Sequence, residues 1–247
     1  TAVLPVTLLP GCASPPPWPP IPAALVDAAK VPGLPQVRQF GDAPGHDGAD
    51  LWGVGPDSPF RFTDAVAAGG PLRVLAISGG GSNGAFAAGV LAGWSEAGTR
   101  PEFDIVTGVS AGALAAPYAF LGPRFDAQLR ELFTGLSSRD IMKERPRLLA
   151  LFSDSLASAE PLRALIDRHF DARLMQAVAA EHRRGRRLFV GTTHVYAGRL
   201  VTWDLGAIAA SGQANALDLI QRLLLASAAV PIMLPPVYIE VEANGQR

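Results

Sequence analysis

Two glycine-rich loops, each set between a short apolar run and an alanine-rich stretch of helical texture, constrain this chain more than anything else in it. The first, Ser78-Gly79-Gly80-Gly81-Ser82-Asn83-Gly84, follows Leu72-Arg73-Val74-Leu75-Ala76-Ile77; the second, Gly108-Val109-Ser110-Ala111-Gly112, follows the apolar run that begins at Phe103. Strand, glycine loop and helix in repeated succession imply an α/β fold of parallel strands joined by right-handed crossovers. The periodicity predicts strands over 72–77 and 103–107. It predicts helices over 85–97, with Phe86, Val90 and Trp94 on one face, and over 111–121, rich in small residues and bent at Pro117. Further helices are expected over 125–133, 161–170, 172–181 and 217–229. Strands are expected over 187–193 and 200–203, with a last one over 235–241 entering a turn at Asn244-Gly245.

The loops also carry chemistry. A serine on a sharp strand-to-helix turn stands exposed as a nucleophile, and glycines at positions such as Gly108 and Gly112 relieve the crowding such a turn creates. The helix that starts there favours negative charge beside Ser110. A neighbouring run of three glycines, Gly79 to Gly81, can aim bare N–H groups at a developing oxyanion. Together they point to a serine acyl hydrolase. The rivals are an ordinary serine N-cap, a purely structural glycine turn, and a dinucleotide fingerprint made by Gly79, Gly81 and Gly84. That fingerprint wants an acidic residue near the end of the second strand. This chain puts Asp104 at that strand's beginning and Ser110 after its end.

With 247 residues, 49% of them apolar and 17% charged, the chain suits one large domain with a substantial core, and a formal net charge of -1 gives no reason to expect nucleic acid. Beyond the first dozen residues no apolar run reaches the roughly 18–20 needed to cross a bilayer. Cys12 is the only cysteine, so an intramolecular disulfide is excluded. It follows the apolar run that ends in Leu9-Pro10-Gly11, and prolines crowd the stretch from Pro15 to Pro22. That arrangement resembles a bacterial lipoprotein leader with Cys12 as the lipidated residue and a stiff spacer after it; the bland alternative is a signal remnant with an incidental cysteine. The expected organisation is a leader and spacer at 1–22, an irregular extension packed on the core at 23–70, and the hydrolase domain at 71–247.

On the two loops, and on Ala226-Ser227-Ala228-Ala229-Val230-Pro231 running on to Pro235-Pro236, the chain from about Leu72 to Val241 resembles the patatin-like phospholipases. The resemblance implies a three-layer α/β/α fold with a mainly parallel central sheet. It implies a Ser–Asp dyad with Ser110 as nucleophile in an elbow flanked by Gly108 and Gly112. Gly79, Gly80, Gly81 and Gly84 would form the oxyanion loop, with no metal and no cofactor. The substrate would be a membrane phospholipid or other fatty-acyl ester, met at a bacterial envelope to which Cys12 anchors the protein. The family's aspartate lies in an Asp-Gly-Gly or Asp-Gly-Ala motif that this sequence does not contain, so the general base is expected beyond Arg247 and the domain is expected to be incomplete at that end. Asn83 stands where many relatives carry Arg or Lys.

Alternatives stay open. His194 follows Ser110 in the order a Ser-His-Asp triad esterase needs, although Asp140, Asp154, Asp167 and Asp171 fall in helical stretches. A third possibility is a lipoprotein of this fold that binds lipid or a partner without chemistry. Asp204 reads as structural, and His46, His169 and His182 as surface groups. The basic run His182-Arg183-Arg184-Gly185-Arg186-Arg187 reads as a solvated helix end, or else as a contact for anionic headgroups.

Overall fold

The computed structural model describes residues 21–42, 71–134, 143–144 (backbone alone), 157–231 and 233–245. Cys12 and most of its proline spacer, the segment 43–70 with His46, and Asp140 and Asp154 lie outside the described residues. The strands are β1 Arg38–Phe40, β2 Val74–Ile77, β3 Ile105–Val109, β4 Lys143–Glu144, β5 Ala157–Ser158, β6 Arg187–His194 and β7 Arg199–Asp204. Among the described residues the α-helices are α1 Gly84–Glu96, α2 Ala111–Leu121, α3 Asp126–Thr134, α4 Glu160–His169, α5 Ala172–Arg183, α6 Leu205–Ala210 and α7 Ala216–Ala228.

One five-stranded sheet in the order β1-β7-β6-β3-β2 organises the fold, and β4 and β5 form a separate pair. Strands β2, β3 and β6 run parallel, with β2 at the sheet's edge, whereas β7 and β1 add antiparallel pairings on the other side. Parallel strands are covered on both faces and therefore read as unbroken apolar runs. Ile105 and Val106 of β3 and Leu188 and Val190 of β6 are accordingly fully buried. Helix α2 is buried along nearly its whole length, and its alanines let it lie close to the sheet; Pro117 sits within it. Ile220, Leu223 and Leu224 of α7 complete the same core. The α/β architecture and the parallel centre are those expected from the sequence.

Four details differ from the sequence expectations. The Phe86, Val90 and Trp94 stripe of α1 points outward, and the buried face is Gly84, Ala88, Leu91 and Ala92. The small residues are inside because α1 lies too close to its neighbours for larger ones: a Cβ on Gly84 would run into the Phe133 ring and sit 2.9 Å from the Ala111 Cβ. Second, the stretch after residue 21 is not uniformly irregular. It supplies β1, which pairs with β7, and it buries Val26, Val31, Leu34, Val37 and Phe40 in the core. Third, 235–241 forms no strand, since Pro235 and Pro236 cannot donate to a ladder. The segment is tied instead by a bridge in which Lys30 and Glu242 exchange backbone hydrogen bonds of 2.9 and 2.8 Å, before the expected turn at Asn244 and Gly245.

Fourth, the basic run is not solvated along its whole length. Arg183 and Arg184 are exposed, but Arg186 and Arg187 are buried. Arg186 donates through Nε to the Phe103 carbonyl at 2.7 Å, through Nη2 to the Phe120 carbonyl at 2.6 Å and through Nη1 to Glu181 at 3.0 Å. A guanidinium can satisfy several elements at once because its donors are fixed in a planar fork. It joins the approach to β3, the end of α2 and α5.

Candidate active site

At the end of β3 the chain reverses sharply into α2, and Ser110 sits at the bend with φ 56° and ψ −124°. That region of backbone space is natural to glycine and costs other residues about 1–3 kcal/mol, so the surroundings must hold it. They do so by close packing on both sides. A Cβ on Gly108 would overlap the Gly112 carbonyl, and one on Gly112 would overlap the Ile77 carbonyl of β2, so the elbow closes with glycine at those two positions. The Ser110 carbonyl opens α2 by accepting from the Ala113 and Leu114 amides at 2.9 and 3.3 Å. The Ser110 amide donates to Ser227 Oγ at 2.8 Å, and Ser227 Oγ donates in turn to the Gly191 carbonyl at 2.7 Å.

The first glycine loop comes to this serine. A Cβ on Gly79 would stand 2.9 Å from the Ser110 Cβ and 3.6 Å from its Oγ, which places the loop's first glycine directly against the serine side chain. The Gly80 carbonyl accepts from the Asn83 amide at 3.0 Å, and Gly81 takes a left-handed φ of 57°, so the chain turns tightly into α1 at Gly84. Gly79 to Asn83 are exposed. Among the described residues, the amides of Gly79, Gly80 and Gly81 donate to no protein acceptor.

A cavity of about 240 Å³ opens beside Ser110, bounded by Val109, Gly191, Ser227, Val230 and Pro231 among others. A second, of about 400 Å³, is lined by Arg38, His194, Trp203, Leu223 and Ile239. Thr192, Thr193, Val195, Ala226, Pro236 and Val237 line both, so the two spaces adjoin. Their walls are mainly apolar.

The structure does not bring His194 to Ser110. Gly191 is the partner of Val109 in the ladder, and His194 lies three residues further along β6, about 10 Å at a strand's rise per residue. Its Nδ1 accepts from the Ala197 amide at 3.1 Å, and burial followed by the nearby Arg38 charge lowers its pKa. Asp167 is exposed on α4, and Asp171 caps α5 by accepting from the Leu174 amide at 2.9 Å. Asp204 pairs with Phe189, two ladder positions before the Val109–Gly191 pair and on a strand two removed from β3. There it caps α6, accepting from the Ala207 amide at 2.8 Å, in the structural role expected of it.

Asp204 is also half of a polar cluster. Burial pushes its carboxyl up to about 6 against the opposing pull of the Ala207 amide and Arg187. His182 Nδ1 lies 3.7 Å from Asp204 Oδ1, and burial, then Arg187 and Arg183, push its imidazole down to about 4. His182 and His169 are both half-buried. Among the described residues no group of three or more His, Cys, Asp or Glu is placed to hold a metal ion, and no helix is long and apolar enough to cross a membrane. The contact that sequence reasoning missed is Ser227. Its signal was the Ala226–Pro231 segment, which carried a hydroxyl among alanines but no indication of what that hydroxyl meets.

A family model described as Patatin-like phospholipase matches residues 75–244, a span that includes both glycine loops and the Ala226–Pro231 segment. A comparison with curated proteins gave no match.

Proposed function

The chain belongs to the patatin-like phospholipase family, which makes it a lipid acyl hydrolase in type, and on that premise we propose that Ser110 cleaves fatty-acyl esters through a covalent acyl-enzyme. The observation that carries this reading is the strained Ser110 turn held against Gly79. Strain of this kind is retained where the surrounding packing over-determines it, and an elbow that exposes a hydroxyl is a use for it.

The chemistry follows from the groups available. Ser110 Oγ attacks the ester carbonyl as its proton passes to a carboxylate, and the negative charge that develops on the carbonyl oxygen meets the N–H groups of the Gly79–Gly81 turn. In comparable sites one such donor is worth about 10²–10³ in turnover. Collapse of the tetrahedral species expels the alcohol, which takes up the proton, and water then releases the acid by the same steps in reverse. The general base in this proposal is an aspartate supplied after residue 247, completing a Ser–Asp dyad. Gly84 serves by opening α1 close to the loop. The adjoining apolar cavities suit an acyl chain, and the substrate is a membrane phospholipid or a related ester.

Cys12, in its leader-like setting, serves in this proposal as a lipid anchor at the bacterial envelope, with Pro15 to Pro22 as an extended spacer. The direct test of the chemistry is Ser110→Ala in the full-length protein. Hydrolysis of phospholipid and p-nitrophenyl esters should fall by about 10³-fold or more while the thermal midpoint stays near that of the parent. Hydrolysis that persists in this variant removes Ser110 from the mechanism.

A further inference from the structure

We propose that Ser227 is a positioning residue for the nucleophile, holding the Ser110 backbone in its strained conformation from the last turn of α7. Its hydroxyl sits between two backbone groups, accepting from the Ser110 amide at 2.8 Å and donating to the Gly191 carbonyl at 2.7 Å. A hydroxyl has one proton, so commitment of that proton to Gly191 leaves a lone pair facing the Ser110 N–H, and the two bonds fix each other's direction.

The position in the sheet explains why a side chain is needed here. The β3–β6 ladder ends at the pair Val109 and Gly191. The next residue of β3's chain is Ser110, whose turn lifts its amide out of the ladder. Ser227 Oγ stands in for the strand carbonyl that the turn has left behind, and it passes the bond back to the last β6 residue of that ladder. Ala226, Ala228 and Ala229 around it offer no polar atom of their own beyond the backbone. This bond also occupies the Ser110 amide, which leaves oxyanion contact to the Gly79–Gly81 turn. Without the hydroxyl, an N–H is orphaned and the elbow gains freedom to relax, which carries Oγ away from Gly79.

The catalytic half of this inference rests on Ser110 being the nucleophile; the structural half does not. The full-length protein carrying Ser227→Thr is to be compared with Ser227→Val, a pair of equal shape that differs in the hydroxyl. Ser227 borders the cavity beside Ser110, which leaves space for the added methyl groups. The Val variant should lose about 30-fold in kcat with KM within twofold, and the Thr variant should stay within threefold of the parent. Hydrogen exchange at the Ser110 amide should be at least tenfold faster in Val than in Thr. Equal kcat in the two variants, or equal exchange at Ser110, overturns the proposal. If the parent protein hydrolyses no ester, the hydrolase reading fails, and the exchange comparison alone then decides whether Ser227 holds the elbow.

Discussion

Replacing Ser110 by glycine should remove the proposed activity and yet make the protein more stable than the alanine variant at the same position. Both substitutions delete the hydroxyl, and both keep the backbone amide that Ser227 accepts from. They differ in the Cβ, which is what makes φ 56°, ψ −124° costly. Strain of about 1–3 kcal/mol is released in the glycine variant. The extra freedom of glycine in the unfolded chain takes back about 0.5–1 kcal/mol. The surplus is roughly 0–2.5 kcal/mol, and at about 2–4 °C per kcal/mol for a chain of this size its midpoint raises Tm by a few degrees. Parallel thermal unfolding of Ser110→Gly and Ser110→Ala, followed by circular dichroism at neutral pH, measures the difference. A glycine variant that melts below the alanine variant would mean that the strain released at Ser110 is smaller than glycine's own cost in the unfolded chain, and the held elbow would be refuted.

The Asp204–His182 pair predicts an unusual acid response. Asp204, raised from 3.8 to about 6, contributes stability that is complete below pH 4 and lost as pH rises through 6, whereas His182, lowered from 6.5 to about 4, contributes stability complete above 6.5 and lost as pH falls through 4. Between pH 4 and 6 the two slopes oppose each other. Asp204→Asn keeps a side-chain cap for α6 but removes one slope, so its stability should drop more steeply on acidification than the parent's, by up to about 1.4 kcal/mol per pH unit. Urea unfolding across that range checks this, and parallel curves for the two proteins would contradict it. For the proposed anchor, metabolic labelling with a clickable fatty acid should be lost in Cys12→Ala; labelling that survives places the lipid elsewhere or nowhere.

What the sequence made legible was what local backbone physics forces into composition. An elbow this tight needs Gly108 and Gly112, and a turn such as that at Gly81 needs glycine, so both loops could be found by eye. The central strands announced themselves because burial on both faces demands unbroken apolar residues, as at Leu188 to Val190. Features decided by distant partners were hidden. β1 is three residues long and exists because β7 pairs with it. The inward face of α1 is the small one because of where Phe133 and Ala111 stand. Arg186 looked like part of a solvated run, yet the Phe103 and Phe120 carbonyls that take it inside belong to remote elements.

In the proposed mechanism Ser110 is a reactive nucleophile. Treatment of the full-length protein with a fluorophosphonate probe, followed by peptide mass mapping, reads this directly. A single phosphonylated peptide with the adduct on Ser110, formed equally well in a His194→Ala background, is the expected result. Intact protein with no adduct at Ser110, or labelling that vanishes with His194, would contradict it.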